Sequence, residues 1–175
     1  MESFPENDMK AIVPRLDQLV DIALDFDQKI PAGQAARRKN DYKEQVRALF
    51  FTVLEELFIQ EEKKVSNQNF SDMLLNEQFH RALAACCIET TFFVNNNLTV
   101  VFTKLLELCK IDAFEFWSVL TKFSTLDPHT PWPIKKHLHE LETKIISHLA
   151  WEKDSQVHQL VLQFIQQSEQ SIYHY

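Results

Sequence analysis

The hydrophobic positions repeat every three to four residues along almost the whole chain, which is the period of an α-helix packed on one side. Ile12, Leu16, Leu19, Ala23 and Phe26 form the first such stripe. Pro14 is placed in the first turn of that helix, where its missing N–H costs nothing. The segment KIPAGQAARRKND breaks the pattern, and residues 30–41 read as a loop. A second stripe runs from about Asp41 to Lys63 through Val46, Phe50, Val53 and Leu57, widened by Leu49, Leu54 and Phe58. VSNQNFSD ends it, and Ser71 or Asn76 is expected to cap the next helix.

From Phe79 to about Val94 the pattern changes. FHRALAACCIETTFF has almost no polar face, and small residues stand where a surface helix would carry charge. Small side chains let neighbouring helix axes come close, so this stretch is expected to be the buried central helix of a bundle. Its charged residues Arg81 and Glu89 must then find partners or reach an edge. NNNLT is a second break, with Thr99 as the expected cap. Short helices are expected at about 100–110 and 112–124. LDPHTPWP is the third break. Pro133 then starts a helix carrying Ile134, Leu138, Leu141, Ile145 and Leu149. A last helix, capped by Asp154 or Ser155, carries Val157, Leu160, Val161, Phe164 and Ile165. Residues 1–8 and 167–175 are polar and are expected to be poorly ordered.

This pattern gives an all-α single domain over residues 1–175, and composition agrees. The chain contains one glycine, Gly33, in 175 residues. Tight hairpins and phosphate-cradling loops need more, which argues against all-β and nucleotide-binding folds. A net charge of −7 argues against direct nucleic-acid binding. The short basic run Arg37, Arg38, Lys39 reads as a solvated loop. No apolar run is long enough to span a membrane. Cys86, Cys87 and Cys109 are read as reduced core residues of an intracellular protein.

Candidate chemistry does not assemble. His137 and His139 are two apart and point to different sides of a helix, HELET is not HExxH, and no metal is expected. Cys86 or Cys87 with His80 forms a nucleophile pair on paper, but a reactive thiol needs an exposed electropositive site. Glu55–Glu56 and Glu61–Glu62 read as solvated helix surface. Trp117, Trp132 and Trp151 read as core or interface residues. No catalytic residue and no cofactor is expected. Thr130 precedes a proline, a two-residue match to a proline-directed kinase site.

Three stretches in order resemble one family. EEKKVSNQNFSDMLLNEQFHRALAACCIE, IDAFEFWSVLTKF and IKKHLHELETKIISHLAWEKDS resemble the A half of the retinoblastoma-type pocket, from Thr52 to Ser155. The resemblance implies a cyclin-box-like helical bundle with a buried central helix and extra flanking helices. It implies a nuclear, non-enzymatic transcriptional corepressor that restrains cell-cycle entry. The A half would pack on a B half, in the same natural chain or a separate one. Together they would bind the transactivation segment of activators of the E-two-factor type. Arg15, Glu55 and Phe58 are the candidate contacts to that segment. Thr52, Ile59 and Asp72 depart from the positive charge that the family tends to carry there, which lowers attraction to an acidic peptide. No second cyclin-box pattern follows, so the family's cleft for LxCxE peptides, which lies in the B half, is not expected here. An A half alone should expose apolar surface on its last two helices and around Trp151. The alternative is another cyclin-box protein, a kinase-activating cyclin or a basal transcription factor.

Overall fold

The computed structural model describes residues 6–25, 33, 35–64, 76–97, 101–126, 129–152 and 155–172. Among these, seven helices follow one another: α1 (Glu6–Asp25), α2 (Ala35–Lys64), α3 (Glu77–Val94), α4 (Phe102–Cys109), α5 (Ala113–Thr125), α6 (Trp132–Trp151) and α7 (Gln156–Ile172). The described residues contain no strand.

α3 is the hub. It packs against α1, α2, α4, α5 and α6. Every residue from Ala82 through Phe92 is buried. Ala82, Ala84, Ala85, Cys86 and Cys87 supply the narrow flanks that let the five neighbours close in. The buried polar residues are satisfied locally, as burial requires. Thr90 Oγ1 donates to the Cys86 carbonyl at 2.8 Å. Asn76 caps the helix by accepting from the Phe79 amide at 3.1 Å.

α1 and α2 form an antiparallel pair with a ladder of three ion pairs. Lys39 meets Asp25, Lys43 meets Asp21 at 2.8 Å, and Arg47 grips Asp17 with two donors, Nε to Oδ1 at 2.7 Å. The acids and the bases each recur every four residues, so both rows lie on one face of their helix. Each half-exposed pair contributes little alone, and the set fixes the register.

Helix ends depart from the sequence expectation in four places. Pro14 lies in the interior of α1, because the helix already begins at Glu6. Its missing donor and bulky ring cost a hydrogen bond, and the helix continues through it. Residues 6–8, expected to be poorly ordered, are therefore helical. α2 begins at Ala35, so much of the expected 30–41 loop is helix. Ala, Arg and Lys are strong helix formers, and Lys39 is anchored across to Asp25. Arg37 and Arg38 are exposed, on a helix instead of a loop. α7 runs through Ile172, beyond its expected end, since Gln, Ser and Glu do not interrupt a helix as Gly or Pro would. Phe26, Ser71, Thr99 and Asp154 lie outside the described residues, as do 1–5 and 173–175.

The other boundaries follow the sequence. Asp112 caps α5, accepting from the Glu115 amide at 2.7 Å. Pro133 stands in the first turn of α6. Ser155 caps α7, accepting from the His158 amide at 3.0 Å. With one glycine in the chain, left-handed backbone falls to Asn96 (φ 53°) and to Lys110 (φ 54°), which ends α4. Asn tolerates that region, while Lys carries a cost of roughly 1 kcal/mol there.

Candidate protein-binding surfaces

Three surfaces hold the candidate chemistry. The first is a cleft between α1, α2 and the start of α3. Leu16, Phe50 and Ala84 form its floor, and Arg15, Glu77 and Arg81 stand at its rim. Arg81 Nη2 and Nε donate to Glu77 Oε1 at 2.7 and 3.0 Å, and Nη1 donates to the Cys109 carbonyl at 3.2 Å. The Arg81 guanidinium, by this bond and by its charge, and more distantly Arg15, hold the Glu77 carboxyl below its ordinary value. Arg15 is exposed at this rim. Glu55 and Phe58 do not line the cleft. The ion-pair ladder sets Arg15 level with Leu49, so Glu55 and Phe58 lie roughly 9 and 14 Å further along the α2 axis. Glu55 is exposed, and Phe58 is half-buried against the core. Thr52 is exposed, its hydroxyl donating to the Ala48 carbonyl, and Ile59 is also exposed. Asp72 lies outside the described residues.

The second is a buried junction between α3 and α6. His137 Nε2 donates to Glu89 Oε1 at 3.0 Å, with the two side chains 16% and 7% exposed. The His137 ring stacks on Phe93 with centroids 4.0 Å apart and planes 9° apart. Glu89 thus has the partner that its burial demanded, and Arg81 has Glu77. In the sequence, His137 stood out only as a possible metal ligand beside His139. The usable signal was Glu89, a carboxylate inside an apolar helix that needs a cation from another element. His139 is on the exposed side of α6. Among the described residues no three His, Cys, Asp or Glu side chains cluster as a metal site.

The cysteines are closed to solvent. Cys86 and Cys87 are fully buried, and burial pushes both thiols well above their ordinary value. Cys109 is pushed up to about 12 by burial, which the Arg81 guanidinium opposes in part. All three are free thiols. A thiol that resists ionisation is a poor nucleophile, so pairing with His80 does not make one. No helix among the described residues is long and apolar enough to cross a membrane.

The third surface lies on α6 and α7. Trp132, Ile146 and Trp151 of α6 are exposed, Trp151 to 85%. On α7, Leu160, Val161, Leu162, Phe164 and Ile165 are all exposed. Exposed apolar surface was expected on these two helices and around Trp151, and it is there. The α6–α7 corner is fixed by bonds from Ser155 Oγ to the Leu149 carbonyl and from His158 Nδ1 to the Ala150 carbonyl. Trp117, by contrast, packs half-buried on the core.

A hub helix ringed by five others is the arrangement that the three sequence motifs implied. The family model described as the retinoblastoma-associated protein A domain matches residues 1–161. This chain belongs to the retinoblastoma family as a pocket A domain. Retinoblastoma-related protein 1 of Triticum aestivum is 33% identical over 110 residues, covering 63% of this chain and 12% of that protein. Retinoblastoma-related protein 1 of Oryza sativa subsp. indica is 33% identical over 110 residues, covering 63% of this chain and 11% of that one. The retinoblastoma-related protein of Vitis vinifera is 28% identical over 137 residues, covering 76% of this chain and 14% of its own length. The chain therefore matches about an eighth of the length of these relatives. Membership in the retinoblastoma family sets aside the cyclin and basal-factor alternative. The pocket A domain match ends at residue 161, inside α7, so Leu162, Phe164 and Ile165 belong to this chain's own extension.

Proposed function

We propose that this pocket A domain is a non-enzymatic scaffold of a nuclear transcriptional corepressor acting in the cell cycle. It packs on a pocket B half and, with it, binds the transactivation segment of E-two-factor-type activators. The observation that carries this reading is the pocket A match across residues 1–161, on a chain whose thiols are buried. The exposed α6 residues Trp132, Ile146 and Trp151 support a protein partner, since large apolar side chains cluster on docking surfaces. Arg15, Glu55 and Phe58 are the candidate contacts to the activator segment, with Arg15 meeting its acidic residues. Their spread along α1 and α2 suits an extended peptide, which touches several helices in succession. With Thr52 and Ile59 at exposed positions that lack positive charge, affinity should rest on apolar contact more than on steering.

The test is co-purification with the B half of a retinoblastoma-related protein, followed by calorimetric titration of an acidic, hydrophobic transactivation peptide. Binding is expected with both halves present, and Arg15→Ala should weaken it roughly 5-fold, the scale of one exposed charge contact. A B half that does not co-purify, or a peptide that gives no heat with both halves present, would refute the proposal.

A further inference from the structure

The α7 face offers a partner beyond the B half. Leu160, Val161, Phe164 and Ile165 occupy two adjacent i, i+4 rows and form one stripe. Leu160 is 63% and Phe164 72% exposed, and Val161 and Ile165 are exposed as well. All residues from Gln159 to Gln166 are exposed, so α7 presents this stripe to solvent instead of to the bundle. Much of it lies past residue 161, where the family match stops, and the pocket A fold does not account for it.

The order of residues along the stripe is the telling feature. Read in either direction from the midpoint between Leu162 and Gln163, the sequence QLVLQFIQ has nearly the same pattern. Gln159 mirrors Gln166, Leu160 mirrors Ile165, and Val161 mirrors Phe164. A two-fold interface requires that residue i meet j and that j meet i. An antiparallel pair of α7 helices crossing at this midpoint meets that condition. Leu160 lies against Ile165 of the second copy, Val161 against Phe164, and glutamines flank both ends. Charge does not oppose the pairing locally. From Gln156 to Ile172 the chain has one acidic residue, Glu169, and no Lys or Arg.

We propose that α7 is a self-association element, through which two copies of this chain pair antiparallel on the Leu160, Val161, Phe164 and Ile165 stripe. At ordinary side-chain sizes the stripe offers roughly 400 Å² of apolar area per copy, which puts the pair below the ~1,200 Å² of stable complexes. The dimer is accordingly weak, forming as concentration rises through about 100 µM. Each copy carries a net charge of −7, so salt strengthens the pairing by screening the repulsion between copies.

Sedimentation equilibrium of the whole chain from about 10 to 500 µM tests this, alongside Val161→Glu and Phe164→Lys. Both positions are exposed, so both variants should keep the native circular dichroism and melting temperature. The wild type should shift from monomer to dimer, more completely at high salt, and each variant alone should stay monomeric. An equimolar mixture of the two variants should regain dimer. Antiparallel pairing sets the new carboxylate at position 161 of one copy against the new ammonium at position 164 of the other, and it restores Val161 on Phe164 at the mirror position. A wild type that stays monomeric throughout would overturn the proposal. So would variants that dimerise unchanged, or a mixture that regains no dimer. Both variants should still co-purify with a B half as well as the wild type does. Loss of B-half binding in both would assign the stripe to the B half and overturn self-pairing, whereas a B half that binds neither variant nor wild type would refute the proposed function alone.

Discussion

Replacing His137 by alanine removes the one described cation that reaches Glu89, and the cost follows from the geometry. The Glu89 side chain is 7% exposed, in the middle of the hub helix, and accepts from His137 at 3.0 Å. Breaking a buried pair by removing one partner costs about 3–5 kcal/mol, since the remaining charge stays desolvated. The substitution also deletes the ring stacked on Phe93. The 16% exposure of His137 lets water reach part of the site, so the lower end applies, about 3 kcal/mol. For a domain of this size that lowers the melting temperature by about 6–12 °C. Urea denaturation monitored by far-ultraviolet circular dichroism would read the change, provided that the transition remains two-state. A double-mutant cycle isolates the cause. Glu89→Gln removes the charge and keeps an acceptor, so in that background His137→Ala should cost only about 1 kcal/mol, the worth of a neutral hydrogen bond. The reasoning is refuted if His137→Ala costs the same in both backgrounds, because the loss would then be one of packing and not of stranded charge.

Two further outcomes arise from the core. Ala85→Leu should lose roughly 1–3 kcal/mol, because Ala85 is fully buried in the hub helix and has no room for added methylenes; an unchanged urea midpoint would contradict close packing there. Cys86, Cys87 and Cys109 should resist thiol reagents until the chain unfolds, and should make the fold sensitive to alkali. Burial raises their folded values above the unfolded value of 9.0, so the unfolded state releases protons first and stability falls as pH rises above about 9. The loss approaches about 1.4 kcal/mol per pH unit for each buried thiol, and Cys109→Ala should reduce that slope in a pH series of urea midpoints.

The helical architecture was legible because it depends on local information. Periodic apolar positions, the proline breaks and the caps Asn76 and Ser155 act within a turn or two of the chain. The hub was legible for a similar reason. A stretch of Ala, Cys and Phe with no wet face has no stable place except the centre of a bundle, and the structure buries it from Ala82 through Phe92. The family was written in three ordered motifs. The exposed apolar surface on α6 and α7 was expected from stripes that a single A half leaves uncovered.

What the sequence left open were pairings between residues far apart in the chain. Asp17, Asp21 and Asp25 have the same four-residue spacing as Lys39, Lys43 and Arg47, but only the antiparallel packing of α1 on α2 turns two charge rows into a ladder. Glu89 demanded a partner, yet nothing local singled out His137 from seven histidines. Helix starts at Glu6 and Ala35 escaped because tertiary anchoring outweighs a proline inside one helix and a proline and a glycine before the other. Local propensity acts over neighbouring residues and can be read along the chain. Which charge meets which, and which stripe stays in water, depends on how the helices stack in space.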